Sequence, residues 1–217
     1  MNTAKLIHDT ILFVKQTLAD AEGGHDWFHI ERVYKSALLI AKSESCDTLV
    51  VQLGALLHDI ADSKFHGGDE TIGPRTARNF LESQHVAEEV IVHVVQIIEN
   101  ISFKGGKTKR KFSSIELDIV QDADRLDAIG AIGIARAFNY GGFKNRALYN
   151  PEFAPNLKMT KEEYKNSQAP TINHFYEKLL LLADKMNTKT GAAIAIKRHR
   201  YMENFLSQFY AEWEGEI

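Results

Sequence analysis

The chain is poor in features that would mark several protein classes. It holds one cysteine, Cys46, in 217 residues. No internal disulfide can form, which excludes a disulfide-stapled secreted domain and fits a reducing cytosol. It has no long hydrophobic run. The longest apolar stretches, 49–57 and 90–98, are too short to span a bilayer and are broken by Gln52 and by His93 and Gln96. The first residues lack the cationic start, apolar segment and small-residue cleavage site of a secretory signal, so the expectation is a cytoplasmic protein. No charge of one sign dominates. A net charge of -3 creates no general field for nucleic acid, and neither nucleic acid nor membrane is an expected partner. No stretch of four to eight residues alternates apolar and polar between turn signals, which removes the β classes.

What is present is helical. With 44% hydrophobic residues the chain can fill one globular core, and a single domain over 1–217 is expected. Ile7, Ile11, Val14 and Leu18 make one apolar stripe, which Thr3 is placed to cap. A second helix is expected from Asp26 to about Ser45, and a third begins after Asp47 or Thr48 as its cap. Further helices read over 71–83, 86–101, 116–140, 171–186 and 192–213. Between them, 102–113 is a loop with a basic run at 107–111, and 143–170 is a long irregular segment. The expected fold is all-α, a bundle of about eight or nine helices. Its core lies in 25–140 and its last helices in 171–213.

The chemistry concentrates at His58-Asp59, which closes the apolar stretch of the third helix. Adjacent side chains in a regular helix diverge by about 100°, but at a helix end both can turn toward one ion. With His29 upstream and Asp124 downstream they form a set of two imidazoles and two carboxylates. Such a set suits Mn, Fe, Co, Ni or Zn, and with more oxygen character Mg. Thiolates are absent from it, and open coordination positions are the mark of a catalytic site. Asp124 falls in an otherwise apolar helix, where a metal offsets the cost of burying a carboxylate. The pairs His8-Asp9 and His25-Asp26 are readable without a metal, the first as a solvated face and Asp26 as a helix cap. His93, within an apolar helix, reads as a core histidine rather than a ligand.

The order of these blocks resembles the HD-domain superfamily of metal-dependent phosphohydrolases. The matching text is His25-Asp26-Trp27-Phe28-His29 with Arg32-Val33, and Ala55-Leu56-Leu57-His58-Asp59-Ile60-Ala61-Asp62. It continues in Asp122-Ala123-Asp124-Arg125-Leu126-Asp127-Ala128-Ile129-Gly130. A further block, His174-Phe175-Tyr176-Glu177-Lys178-Leu179, is similar to small stand-alone bacterial members that cleave nucleoside triphosphates. The resemblance implies an all-α fold and the ligands His29, His58, Asp59 and Asp124 around one divalent ion, with manganese the leading expectation. Asp122 and Asp127 either orient a ligand or Arg125, or are ordinary helix-surface acids.

The implied reaction is hydrolysis of a nucleotide at phosphorus, with (deoxy)nucleoside triphosphate going to monophosphate and pyrophosphate. A divalent ion lowers the pKa of a water it holds from 15.7 toward about 7. Asp62, about one turn beyond Asp59, is the candidate for orienting or deprotonating that water or for protonating the leaving oxygen, with Lys64 as the nearby phosphate cation. The candidates for holding substrate are His25, Arg32, Lys104, Arg125, Tyr140, Arg146, His174 and Lys178. Two other substrates fit the same chemistry, a nucleoside 5′-monophosphate and a guanosine polyphosphate, and a non-catalytic nucleotide- or metal-binding module is the alternative from another class. Trp213 and the apolar face of the last helix offer a surface for a homodimer.

Overall fold

The helix that ends in His58-Asp59 is apolar except at Thr48 and Gln52, so most of it has to be buried. The structure, a computed structural model, describes residues 2–19, 21, 26–61, 69–101, 112–160, 163 and 166–217. They divide into two compact units, 1–124 and 125–217. Nine α-helices and no strand occur among the described residues.

In the N-terminal unit α1 (Thr3–Thr17), α2 (Trp27–Ala41), α3 (Thr48–Leu57), α4 (Ile72–Ser83) and α5 (Glu88–Asn100) precede α6 (Ile115–Asp127). Helix α3 packs against α1, α2 and α5, and α4 packs on α5. Leu53, Leu56 and Leu57 of α3 are fully buried, each contributing about 1.5–3 kcal/mol. Gly54 lets α3 lie close to α5, since a Cβ there would stand 3.2 Å from Ile97 Cδ1. Stacked rings of Phe13 and Phe80, 4.1 Å apart, join α1 to α4.

The caps follow the rule that short polar side chains satisfy orphan amides at a helix start. Asp26 accepts from His29 N, and Asp47 accepts from Leu49 N and Val50 N. At α1 the capping side chain is Asn2, not the expected Thr3, because Thr3 is already the first helical residue.

The single helix expected over 116–140 is two helices. Ile129 is extended and Gly130 takes φ 77°, so the chain turns between α6 and α7 (Gly130–Phe143). That φ suits glycine, and a side chain there would also meet Arg198 Cβ at 3.0 Å. The expected stop at Gly141-Gly142 falls inside the last turn of α7, whose cap is Lys144. The expected helix over 171–186 breaks early: α8 (Thr171–Glu177) ends at Lys178, whose φ of -144° leaves the helical region. Two short 3₁₀ turns, Leu179–Leu181 and Ala183–Lys185, lead to α9 (Lys189–Trp213). In this C-terminal unit α7 packs against α8 and α9. Phe138, Phe175 and Phe205 form its aromatic centre, with ring centroids 5.8–6.0 Å apart. No described helix is long and apolar enough to cross a membrane.

Candidate metal centre

His29 lies in the first turn of α2, where the cap fixes its position: Asp26 Oδ1 accepts from the amide of His29 itself at 3.0 Å. His58 is the residue on which α3 ends, and Ile60 N closes a tight turn onto Leu57 O behind it. His58 keeps helical dihedrals, φ -59° and ψ -31°, as the cap of the helix. His58 Nδ1 lies 2.9 Å from Ala55 O, so it carries the proton and donates. That leaves the His58 Nε2 lone pair facing forward.

The two imidazoles meet at Nε2. His58 Nε2 and His29 Nε2 are 3.3 Å apart, with ring planes at 67°. Asp124 Oδ1 lies 3.6 Å from His29 Nε2 and 3.9 Å from His58 Nε2. One ligand atom each from His29, His58 and Asp59 falls within 4.8 Å of the others. Ligands at about 2.0–2.2 Å from a common ion stand roughly 3–3.5 Å from one another, so the donor set fits a divalent metal. Burial pushes the His58 imidazole below its ordinary value; Asp124 pulls it back, His29 pushes it further down, and Asp59 and the Ala55 bond act upward. A neutral imidazole is the form that binds metal.

One expectation is corrected. The carboxylate that is costly to bury is Asp122, which is fully buried, whereas the Asp124 side chain is 39% exposed. Helical phase puts Asp122 toward the core and Asp124 at its edge. Asp124 thus lies at the solvent-facing edge of the cluster, beside two buried histidines.

The other sequence candidates are spread along the chain. Arg32 stands one turn beyond His29 on α2, half-buried. His25, Asp62, Lys64, Lys104 and the basic run 107–111 lie outside the described residues. In the C-terminal unit Arg125 donates to the carbonyl of Lys185, and Asp127, buried, accepts from Arg136 Nη1 at 2.6 Å.

Tyr140, Arg146, His174 and Lys178 come together in the C-terminal unit. The Arg146 guanidinium lies 5.5 Å from the centre of the Tyr140 ring. Its Nη2 donates to Ser167 O at 2.7 Å, and its buried Nε has no hydrogen-bond partner. His174 is held at about 3 by burial first, then by Lys178 and Arg146. The expected shared helix face of His174 and Lys178 does not exist, since α8 ends before Lys178, yet the two remain electrostatic neighbours.

A buried acid that no motif announces is Glu116. It accepts from Asp47 N across 69 positions of sequence, and only the packing of helices brings those residues together.

The sequence matches the family model of the HD domain over residues 27–129, which spans His29, His58, Asp59 and Asp124. The chain belongs to the HD-domain family, whose members bind a divalent metal, and His29, His58 and Asp59 form a possible site for one. It is 37% identical to YpgQ of Bacillus subtilis over 211 residues, 94% of this chain and 91% of that protein. An HD-superfamily hydrolase from Bacillus thuringiensis superposes with a TM-score of 0.79 at 43% identity, covering 98% of this chain and 99% of that one. The structure of Bacillus subtilis YpgQ in complex with ADP superposes with a TM-score of 0.77 at 34% identity, covering 98% and 97%.

Proposed function

We propose that the protein is a metal-dependent phosphohydrolase of nucleotides, cleaving a (deoxy)nucleoside triphosphate to the monophosphate and pyrophosphate. The observation that carries this is the meeting of His29, His58 and Asp124 within 3.3–3.9 Å, with Asp59 beside the two histidines. The ADP in the YpgQ structure supports a nucleotide as the ligand class. Manganese is the ion this mixed nitrogen and oxygen set serves in our reading. Bound there, it supplies charge for the phosphate oxygens and makes a water nucleophilic near neutral pH.

The chain's own groups do the rest. His58 is held by Ala55 O in the tautomer that presents Nε2. Asp124 keeps one edge of the cluster open to solvent. Asp62 orients or deprotonates the attacking water or protonates the leaving oxygen, and Lys64 serves as a phosphate cation. Arg146, His174 and Lys178 take anionic oxygens of the substrate. A bound phosphate would meet two cations, a neutral His174 and the orphaned Arg146 Nε. Tyr140, half-exposed beside Arg146, offers a ring to the base or sugar. Arg32 and Arg125 are further candidates for holding the substrate.

A panel of nucleotides with several divalent ions, followed by ³¹P NMR, tests the reading. Pyrophosphate release that stops with EDTA and returns with Mn²⁺ is the expected result. Orthophosphate alone would mean a monoesterase, and binding without cleavage would mean a nucleotide-binding module. Full turnover in excess EDTA would rule out the metal.

A further inference from the structure

Glu116 sits in the first turn of α6 and is buried. Its Oε1 accepts from Asp47 N at 2.8 Å, and Asp47 is the cap of α3. Its Oε2 lies 3.4 Å from His93 Nε2 on α5. His93 Nε2 is also 2.9 Å from Ser114 Oγ, which accepts from Leu117 N. One carboxylate therefore joins the starts of α3 and α6 to the middle of α5. A negative group in the first turn of α6 is also favoured by that helix's own dipole.

The two helices it joins carry three of the four candidate ligands. Helix α3 runs about three turns from Asp47 to His58 and Asp59, and α6 runs about two turns from Glu116 to Asp124. A helix is stiff along its axis, so a slide or tilt at one end is passed to the other. The Asp124 Oδ1 distances to the two histidines, 3.6 and 3.9 Å, leave little slack for such a slide.

We infer that Glu116 is a positioning residue for the metal centre: its bond to the Asp47 amide sets the register of α3 against α6 and thereby the spacing of His58 and Asp59 from Asp124. The inference rests on the metal reading given under Proposed function. It differs from a cap role, because Asp47 caps α3 with its own side chain and needs Glu116 only for its backbone N–H.

The test is Mn²⁺ titration of the full chain followed by electron paramagnetic resonance, with far-UV circular dichroism to confirm folding. Glu116→Gln keeps an oxygen that accepts from Asp47 N and should bind Mn²⁺ as the unaltered protein does. Glu116→Ala removes it and should weaken Mn²⁺ on the order of 10-fold, the lower end of what losing a ligand's support costs. The bound-ion spectrum should change with it. His93→Ala leaves the Asp47 bond intact and should bind normally. If Glu116→Ala does not fold, Glu116→Asp, which retracts the carboxylate by one methylene, carries the test and should also bind more weakly.

A folded Ala or Asp variant with unchanged affinity and spectrum overturns the inference alone. So does a Gln variant that falls as far as Ala. If neither Ala nor Asp folds, Glu116 serves overall stability and the positioning role falls. Unaltered protein that holds no Mn²⁺ overturns the metal reading, and this inference with it.

Discussion

Two histidines invite comparison, His58 in the N-terminal unit and His174 in the C-terminal one. Burial lowers both. At His58 the carboxylates of Asp124 and Asp59 work against burial, while at His174 the charges of Lys178 and Arg146 work with it. The N-terminal cluster is a concentration of lone pairs and negative charge that a cation relieves. The C-terminal cluster sets two cations, Arg146 and Lys178, about an imidazole kept neutral. On the function proposed above, the first cluster holds the ion and the second an anionic group, two separate tasks.

The strongest way to break this comparison is to remove a ligand. His58→Ala or Asp124→Ala should reduce Mn²⁺ affinity and turnover by more than about 100-fold, beyond the cost of losing an outer contact. Equilibrium dialysis against Mn²⁺ and a pyrophosphate-release assay check it. Retained metal in both variants would end the division of tasks.

A middle effect is expected at the cationic cluster. Arg146→Ala or Lys178→Ala should lower kcat/KM by about 10- to 100-fold, as loss of a charged contact of about 1.5–3 kcal/mol predicts. The loss should fall mainly on KM, and Mn²⁺ affinity should stay unchanged. A fall in Mn²⁺ affinity would show that the two clusters are not separate in function.

The smallest effect concerns stability against pH. The folded His174 titrates at about 3 against an ordinary 6.5, so between these values the unfolded chain binds more protons. Stability from this group is intact above about pH 6.5 and is lost as the pH falls through that window. Acidification from near pH 7 to near pH 5 should cost up to about 2 kcal/mol. Urea denaturation at both values measures it, and His174→Gln should remove that part of the acid sensitivity. An unchanged pH slope in the variant would place the acid-labile group elsewhere.

The helical class was legible because apolar spacing reports burial, as at Ile7 and Val14 on α1. The caps Asp26 and Asp47 were legible because capping is local. The break at Ile129-Gly130 was not, since one glycine in a long apolar pattern reads as tolerated until its φ is seen. The early end of α8 at Lys178 was likewise hidden, for nothing in Leu179 to Leu182 forbids a helix. His29, His58 and Asp59 were readable as candidates for one donor set, and their ligand atoms lie within 4.8 Å of one another. Which acid on α6 is buried was misassigned between Asp122 and Asp124, because helical phase against a core depends on the neighbouring helices.

By itself the sequence determined the helical class, the caps Asp26 and Asp47 and the kind of donor atoms available, because these depend on residues a turn or so apart. The tertiary structure alone decided that Asp124 Oδ1 comes within 4 Å of two histidines, that Glu116 reaches the Asp47 amide, and that Arg146 bears on His174. Those meetings join residues far apart in the chain, and their distances are set by how whole helices pack.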